Sequence, residues 1–173
     1  MKTRVKLLSA TILLVGSATG AFAQATATAT ATATIVTPIS ITKSVDMNFG
    51  NVAVSASTAG TVVLATDGTR TSTGGVTLPT TAGTVTAASF AVAGQGNYTY
   101  AITLPSSALT ITSGSNTMTV NTFVSNPSAG SGGTLSAGGT QTLLVGATLN
   151  VAAAQPAGVY VSGTPFSVTV NYN

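Results

Sequence analysis

Apolar and polar residues alternate along most of this chain, and that period of two constrains the fold more than any other feature. Residues 98–104, 117–124 and 166–172 show it most clearly. Successive side chains of a β-strand point to opposite faces, so alternation gives each strand one buried side and one wet side. No segment shows a helical period. The sequence therefore predicts an all-β fold, an antiparallel β-sandwich.

Turn-forming residues interrupt the alternation about every ten residues, which is the spacing typical of a sandwich. Asp67-Gly68 predicts a two-residue hairpin turn because both residue types tolerate positive φ. Pro105 cannot donate to a strand ladder and should end a strand. The predicted strands lie near residues 25–36, 39–43, 47–54, 61–66, 76–79, 84–93, 98–104, 108–112, 117–124, 140–151 and 165–172.

The first residues are typical of a secretory signal peptide. Basic residues at positions 2, 4 and 6 precede a short apolar run over residues 7–15, and small residues follow at positions 21 and 23. The apolar run is too short to span a bilayer as a helix. We expect cleavage after Ala23, and a mature protein in the periplasm, at the cell surface or outside the cell, with no membrane span.

Three regions follow from this interpretation. Residues 1–23 form the signal peptide, residues 24–43 an Ala-Thr-rich N-terminal arm, and residues 44–173 the β-sandwich domain.

Charge is nearly absent from the mature chain. Lys43 and Arg70 oppose Asp46 and Asp67, so the formal charge is zero once the signal peptide is removed. Nucleic acids and anionic membranes bind through clustered basic residues, and the mature chain has no such cluster. We expect neither nucleic acid nor a membrane surface among its partners.

The residue inventory also disfavours an enzyme. The chain has no His and no Cys, and its acidic residues are Asp46 and Asp67. Asp67 serves the predicted turn, and Asp46 is close enough in sequence to pair with Lys43. General acid–base, nucleophilic and metal chemistry all need groups that are missing here. We expect no catalytic residues, no cofactor-binding residues, no metal ligands and no cofactor.

The arm is the most unusual segment. Residues 25–34 are five Ala-Thr repeats, and the alternation continues with larger residues at Ile35, Ile39 and Ile41. Three interpretations remain open: a linker, a first strand of the chain's own sandwich, or a donor strand that completes the sheet of another subunit. In the last case the three isoleucines would be the anchors, since a buried Ile contributes about 1.5–3 kcal/mol.

The C-terminal segment resembles the end of spore-coat-U-like chaperone–usher pilins. A Gly158-Val159-Tyr160 turn precedes the alternating strand of residues 165–173, whose penultimate residue is Tyr172. In such pilins the last strand flanks the groove that accepts a neighbour's strand, and a chaperone grips it. The resemblance implies acceptor roles for four residues: Phe166, Val168, Val170 and Tyr172. The alternative is a last strand whose aromatic residue only packs in the core.

A wider resemblance covers nearly the whole mature chain. Five motifs look like the bacterial secreted family catalogued as domain of unknown function 4402; they are Ile35-Val36-Thr37-Pro38-Ile39, Met47-Asn48-Phe49-Gly50-Asn51, Gly74-Gly75-Val76, residues 134–140 and Val168-Thr169-Val170-Asn171-Tyr172. The resemblance implies an immunoglobulin-like, pilin-type sandwich with an extended N-terminal strand. It implies no activity.

We therefore expect a structural, pilin-like subunit of a cell-surface fibre, assembled by β-strand addition. Its partners would be identical or related subunits and a periplasmic chaperone. The alternative is a secreted, monomeric adhesive or carbohydrate-binding sandwich.

Overall fold

The computed structural model describes residues 23–173, and this part of the chain contains thirteen β-strands and no helix. The predicted signal peptide lies almost entirely outside the described residues. The strands are β1 Ser40–Val45, β2 Ala53–Val54, β3 Gly60–Leu64, β4 Arg70–Gly74, β5 Val76–Thr77, β6 Ala88–Ala93, β7 Thr99–Thr103, β8 Leu109–Ser113, β9 Asn116–Asn126, β10 Gly133–Thr134, β11 Thr140–Val151, β12 Val161–Ser162 and β13 Thr169–Tyr172.

One large sheet and two small ones make up the fold. The large sheet has the order β1-β6-β11-β9-β8-β12, and β3 joins it by pairing with β11 and carries β4 on its other side. The small sheets are β10-β7-β13 and β2-β5. Every pairing is antiparallel, so the predicted all-β antiparallel sandwich is confirmed.

The long strand β11 organises the large sheet. Its first half pairs with β6 and its second half with β3, while β9 runs along its other side. Buried apolar residues alternate along it at Leu143, Val145, Ala147, Leu149 and Val151. The same strand therefore contributes to the core along nearly its whole length.

The core has two clusters. In the first, Leu143 and Val92 of the large sheet pack with Tyr100 and Val170 of the three-stranded sheet. In the second, Leu149 and the neighbouring strands pack against Val76 of the two-stranded sheet. Each small sheet therefore covers one part of the large sheet, as in a sandwich.

Tyr100 is the largest fully buried side chain. Its hydroxyl donates a hydrogen bond to Gln141 Oε1 at 2.8 Å, which satisfies the one polar group that this ring takes into the core. Desolvation on burial raises the pKa of the Tyr100 hydroxyl above its ordinary value, so it remains a neutral donor.

A hairpin turn forms at Asp67-Gly68 and joins β3 to β4. It is a three-residue loop over residues 66–68, closed by the hydrogen bond from the Ala65 N–H to Thr69 O, and not the predicted two-residue turn. Gly68 has a φ of 84°, whereas Asp67 does not have a positive φ. Asp67 Oδ1 accepts hydrogen bonds from the Thr69 hydroxyl at 2.7 Å and from the Thr69 N–H at 2.9 Å. These two bonds lower the pKa of the Asp67 carboxyl below its ordinary value, because they stabilise its charged form.

The structure departs from the predicted strands at the N-terminus, at β4, β10 and β12, which were not predicted, and at residues 47–52 and 165–168, which lie outside the assigned strands. Residues 25–36 form no strand, whereas Ser40–Val45 pair with β6 inside the chain's own large sheet. The chain divides into one unit that ends at Thr34 and another over Ile35–Asn173, so the last part of the predicted arm belongs to the sandwich. Strand β4 was not predicted because its residues are mainly small and polar.

Leu143, a fully buried side chain near the start of β11, provides a test of the core. We expect Leu143→Ala to lower the free energy of unfolding by about 2–5 kcal/mol, because it leaves a cavity where Leu143 is fully buried. Urea denaturation measures the change. The control is Val159→Ala at a side chain that is 82% exposed, which should shift stability by less than about 0.5 kcal/mol. Equal effects in the two variants would contradict the described core.

Candidate assembly surface

Strand β13 has a partner on one side only. It pairs with β7 and, among the described residues, forms the edge of its sheet. The Asn173 N–H donates a hydrogen bond to Thr99 O at 3.4 Å. Asn173 and Thr99 are therefore a hydrogen-bonded pair, and the neighbouring pair of Tyr172 and Tyr100 is a non-bonded pair. Hydrogen-bonded and non-bonded pairs alternate in an antiparallel ladder. The backbone groups of Val170 and Tyr172 therefore face away from β7, toward the open edge.

Strand β1 is an edge of the large sheet. The Gly94 N–H donates to Gly139 O at 2.8 Å, which fixes the alternation along β6. By that alternation the backbone groups of Ala91 and Ala93 point toward β1, where they pair with Thr42 and Ser40. The backbone groups of the intervening Ile41 then point away from β6. Each of the two sheets thus presents a row of backbone donors and acceptors.

The two edges lie on the same core cluster. Ile41 of β1 and Val168, just before β13, both pack against the first cluster, and β1 and β13 approach each other. Phe90, on the strand beside β1, meets Phe166 near β13 edge-on at a centroid distance of 6.4 Å. Both rings are half-buried. We call the edges of β1 and β13, with these two rings and Val168, the assembly rim.

The four predicted acceptor residues come together at this rim. Val170 is buried in the first cluster, and Phe166, Val168 and Tyr172 are half-buried against it. The sequence analysis missed Phe90 and Phe123, whose ring lies 5.1 Å from that of Phe166. Phe90 has the inward parity of Val92 in β6, but nothing in the sequence showed which strands would be its neighbours. Phe123 has the outward parity of Thr117 and Thr119 in β9, and it turns inward only after an irregularity at Thr122, whose φ is 49°.

The three predicted donor anchors separate into two groups. Ile39 and Ile41 pack against the first cluster of their own chain, where they belong to the segment that leads into β1 and to β1 itself. Ile35 is 92% exposed. Within one chain, therefore, two of the candidates already fill core positions, and Ile35 alone leaves its side chain in solvent.

Tyr172 joins the two edges at one end of the rim. Its hydroxyl accepts a hydrogen bond from the Gln95 N–H at 2.6 Å and donates one to Thr37 O at 2.7 Å. The ring of Tyr98 packs edge-on against it at 5.6 Å. A Cβ at Gly94 would lie 2.2 Å from the hydroxyl, so this close approach requires glycine. Nothing in the sequence predicted that Gly94 and Gln95 would contact Tyr172.

The charged groups have local partners. Lys43 Nζ lies 2.7 Å from Asp46 Oδ1 in an exposed ion pair at the far end of β1, beside a β-bulge. A charge and a bulge are both features that discourage further strand pairing on a sheet edge. Arg70 Nη1 donates to Phe49 O and to Asn51 O, which attaches the loop after β1 to β4. Free pairing along β1 is thereby confined to the part before Lys43.

The described N-terminal unit is uniformly exposed. Residues 23–34 carry no assigned strand, and each of their side chains is exposed. As a β-strand this segment would span about 40 Å, at roughly 3.3 Å per residue.

Residues 23–173 bring no three acidic, His or Cys side chains together as a metal site. They also include no helix long and apolar enough to cross a membrane.

The fold and its rim place the molecule in the class of antiparallel β-sandwich proteins with unpaired edge strands. A family model described as domain of unknown function (DUF4402) matches residues 39–172, and the chain belongs to this family. The match extends from the residue before β1 to the last residue of β13, so it covers the whole sandwich. No curated protein and no solved structure matches the chain.

The Tyr172 bridge can be tested directly. We expect Tyr172→Phe to lower the free energy of unfolding by about 1–3 kcal/mol, because it leaves the Gln95 N–H and the Thr37 carbonyl without this partner. Hydrogen exchange at the Gln95 amide should accelerate in the same variant. Tyr98→Phe keeps the neighbouring ring and serves as the control. Unchanged exchange at Gln95 would show that the bridge does not form.

Proposed function

We propose that this protein is a non-catalytic, pilin-like subunit of a cell-surface fibre. The arm of one copy would add as a strand at the assembly rim of the next copy. The observation that carries the proposal is the rim itself, where the unpaired edges of two different sheets lie against one half-buried aromatic cluster. Exposed edges of this kind favour pairing with another chain.

Backbone hydrogen bonds would supply most of the attraction. A strand lying along β13 can pair with the outward groups of Val170 and Tyr172, and a strand lying along β1 can pair with those of Ile41. Each such bond contributes about 0.5–1.5 kcal/mol net. Because Ile39 and Ile41 already fill the core of their own chain, the added strand need not bring large side chains. The small side chains of the Ala-Thr repeats suit that requirement.

The donor segment is then residues 24–36 rather than the longer arm. Ile35 is its main apolar anchor, since its side chain is exposed in the single chain and would contribute about 1.5–3 kcal/mol on full burial. Ile39 and Ile41 stay with their own sandwich. Donor and acceptor surfaces differ, so the contact is head-to-tail and builds an open fibre instead of a closed dimer.

This role supports two further expectations about partners. Before assembly the two open edges are a hazard for uncontrolled pairing, and a periplasmic chaperone would cover them. Related subunits with a similar alternating arm could also donate. Both partners would be met on an export route to the cell surface, which agrees with the predicted signal peptide.

The donor segment is tested by deletion. We expect the mature chain of residues 24–173 to form polymers and the shorter chain of residues 37–173 to stay monomeric. Light scattering and size-exclusion chromatography measure the difference. The cut falls before Ile39 because Ile39 and Ile41 pack in the core, and their removal would destabilise the sandwich. Circular dichroism checks that both chains fold. Identical monomers in both samples, or identical polymers, would refute the proposal.

A peptide competition identifies the segment more directly. A synthetic peptide of residues 24–36 should bind the shorter chain and cap growing polymers of the mature chain. The matched control is the same peptide with proline in place of every second Thr, which removes ladder donors and keeps the Ala face. Capping by the control as efficiently as by the native peptide would exclude strand addition.

A further inference from the structure

The outer face of the large sheet carries a continuous row of hydroxyl and amide side chains. Thr61 of β3 and Thr119 of β9 both stand opposite Asn150 of β11. The row continues to Thr73 on β4 and to Thr110 on β8. Neighbouring strands lie about 4.8 Å apart. Five adjacent strands therefore present one polar group each along a single line across the sheet.

The middle of this row lies in a shallow cleft. The cleft has a volume of about 530 Å³ and is open to solvent on one side. Asn150 lies between Thr61 on one side and Thr117 and Thr119 on the other, and Gln155 lines one end. The surrounding wall is apolar, formed by small residues such as Ala59 and Ala152.

Internal hydrogen bonds fix the two amides of the cleft. Asn150 Nδ2 donates to Thr119 O at 3.2 Å. Gln155 Nε2 donates to Thr117 O at 3.1 Å and to Tyr160 Oη at 2.9 Å. Because each NH₂ group donates a hydrogen bond within the chain, the orientation of each amide is set, and its carbonyl oxygen remains available as an acceptor. The hydroxyls of Thr117 and Thr119 have no hydrogen-bond partner within residues 23–173 and can donate or accept.

We propose that this cleft binds a neutral polysaccharide. Sugar hydroxyls need donors and acceptors close together, and the cleft offers fixed amide oxygens beside free threonine hydroxyls. Its small apolar wall suits the C–H faces of sugar rings. No charged side chain lines it, so it offers no ion pair to an acidic polymer or a nucleic acid. An open cleft across a sheet fits a chain laid over the surface better than an enclosed small molecule.

Weak binding at each site is expected, because no aromatic ring lines the cleft to stack on a sugar. If the subunits form the fibre proposed above, many identical clefts would act together and raise the avidity by about 10²–10⁴. Only this gain depends on the fibre. The binding of one cleft does not.

A carbohydrate array tests the cleft with the mature protein. The probes are neutral polysaccharides (cellulose, starch, mannan and xyloglucan) and two acidic ones (alginate and polygalacturonate). We expect binding to at least one neutral polymer. The variant Thr117→Val with Thr119→Val keeps the shape and the strand preference of both residues and removes both hydroxyls. It should weaken that binding about tenfold, as expected for two lost hydrogen bonds.

The matched control is Thr99→Val with Thr103→Val, at exposed positions of β7 in a different sheet. It should keep its affinity within about twofold of the unmodified protein. Thermal melts confirm that both double variants fold. No binding to any neutral polymer, binding to the acidic polymers alone, or an equal loss in the control would each overturn the proposal. If the mature protein binds a neutral polymer but stays monomeric, the proposed binding cleft is supported and the proposed fibre is refuted. The two proposals can therefore fail separately.

Discussion

The outward backbone groups of β1 and β13 are the constraint on which the rest of the molecule depends. A β-sheet satisfies its N–H and C=O groups only through neighbours, and these two edges lack a neighbour on one side within the described chain. The molecule closes one end of the rim with Tyr172 and limits the far end of β1 with Lys43, Asp46 and a bulge. Between these ends the edges stay open above half-buried aromatic rings.

The low charge and the small side chains also limit what the surface can bind. With so few charged residues, the surface offers backbone groups, hydroxyls and amides in place of ion pairs. At the assembly rim the backbone groups dominate, and the ligand that we propose for them is another strand. On the outer face of the large sheet, side-chain hydroxyls and amides dominate, and the matching ligand is a neutral polymer. Two surfaces with different chemistry can therefore serve attachment within one fold.

Alternation predicted most of the sandwich, because the period of two reports directly which side of a strand is buried. It placed β7, β9 and β11 well, and the Asp67-Gly68 turn followed from local backbone preference. It did not predict β4, whose residues lack an apolar face, and it could not separate a donor strand from a first strand. Ile39 and Ile41 have the same pattern in either role. The difference depends on which strand lies alongside, and that is a property of the tertiary fold.

The same limit applies to the two surfaces. The four candidate acceptor residues near the C-terminus were chosen for their alternation and their resemblance to the end of pilins, and the structure places them against the first core cluster. Their partners Phe90 and Gln95 were not predicted, because the sequence gives no register between distant strands. The row through Thr61, Asn150 and Thr119 could not be predicted either, because its members are far apart in the chain and meet only through strand pairing.

Amide hydrogen exchange along β1 and β13 tests the central claim most directly. In the chain of residues 37–173, the account predicts fast exchange at Ile41, Val170 and Tyr172 and slow exchange at Asn171, which faces β7. Addition of the peptide of residues 24–36 should protect the first three amides and leave Asn171 unchanged. Slow exchange at all four amides before the peptide is added, or no protection after it, would contradict an open rim that accepts a strand.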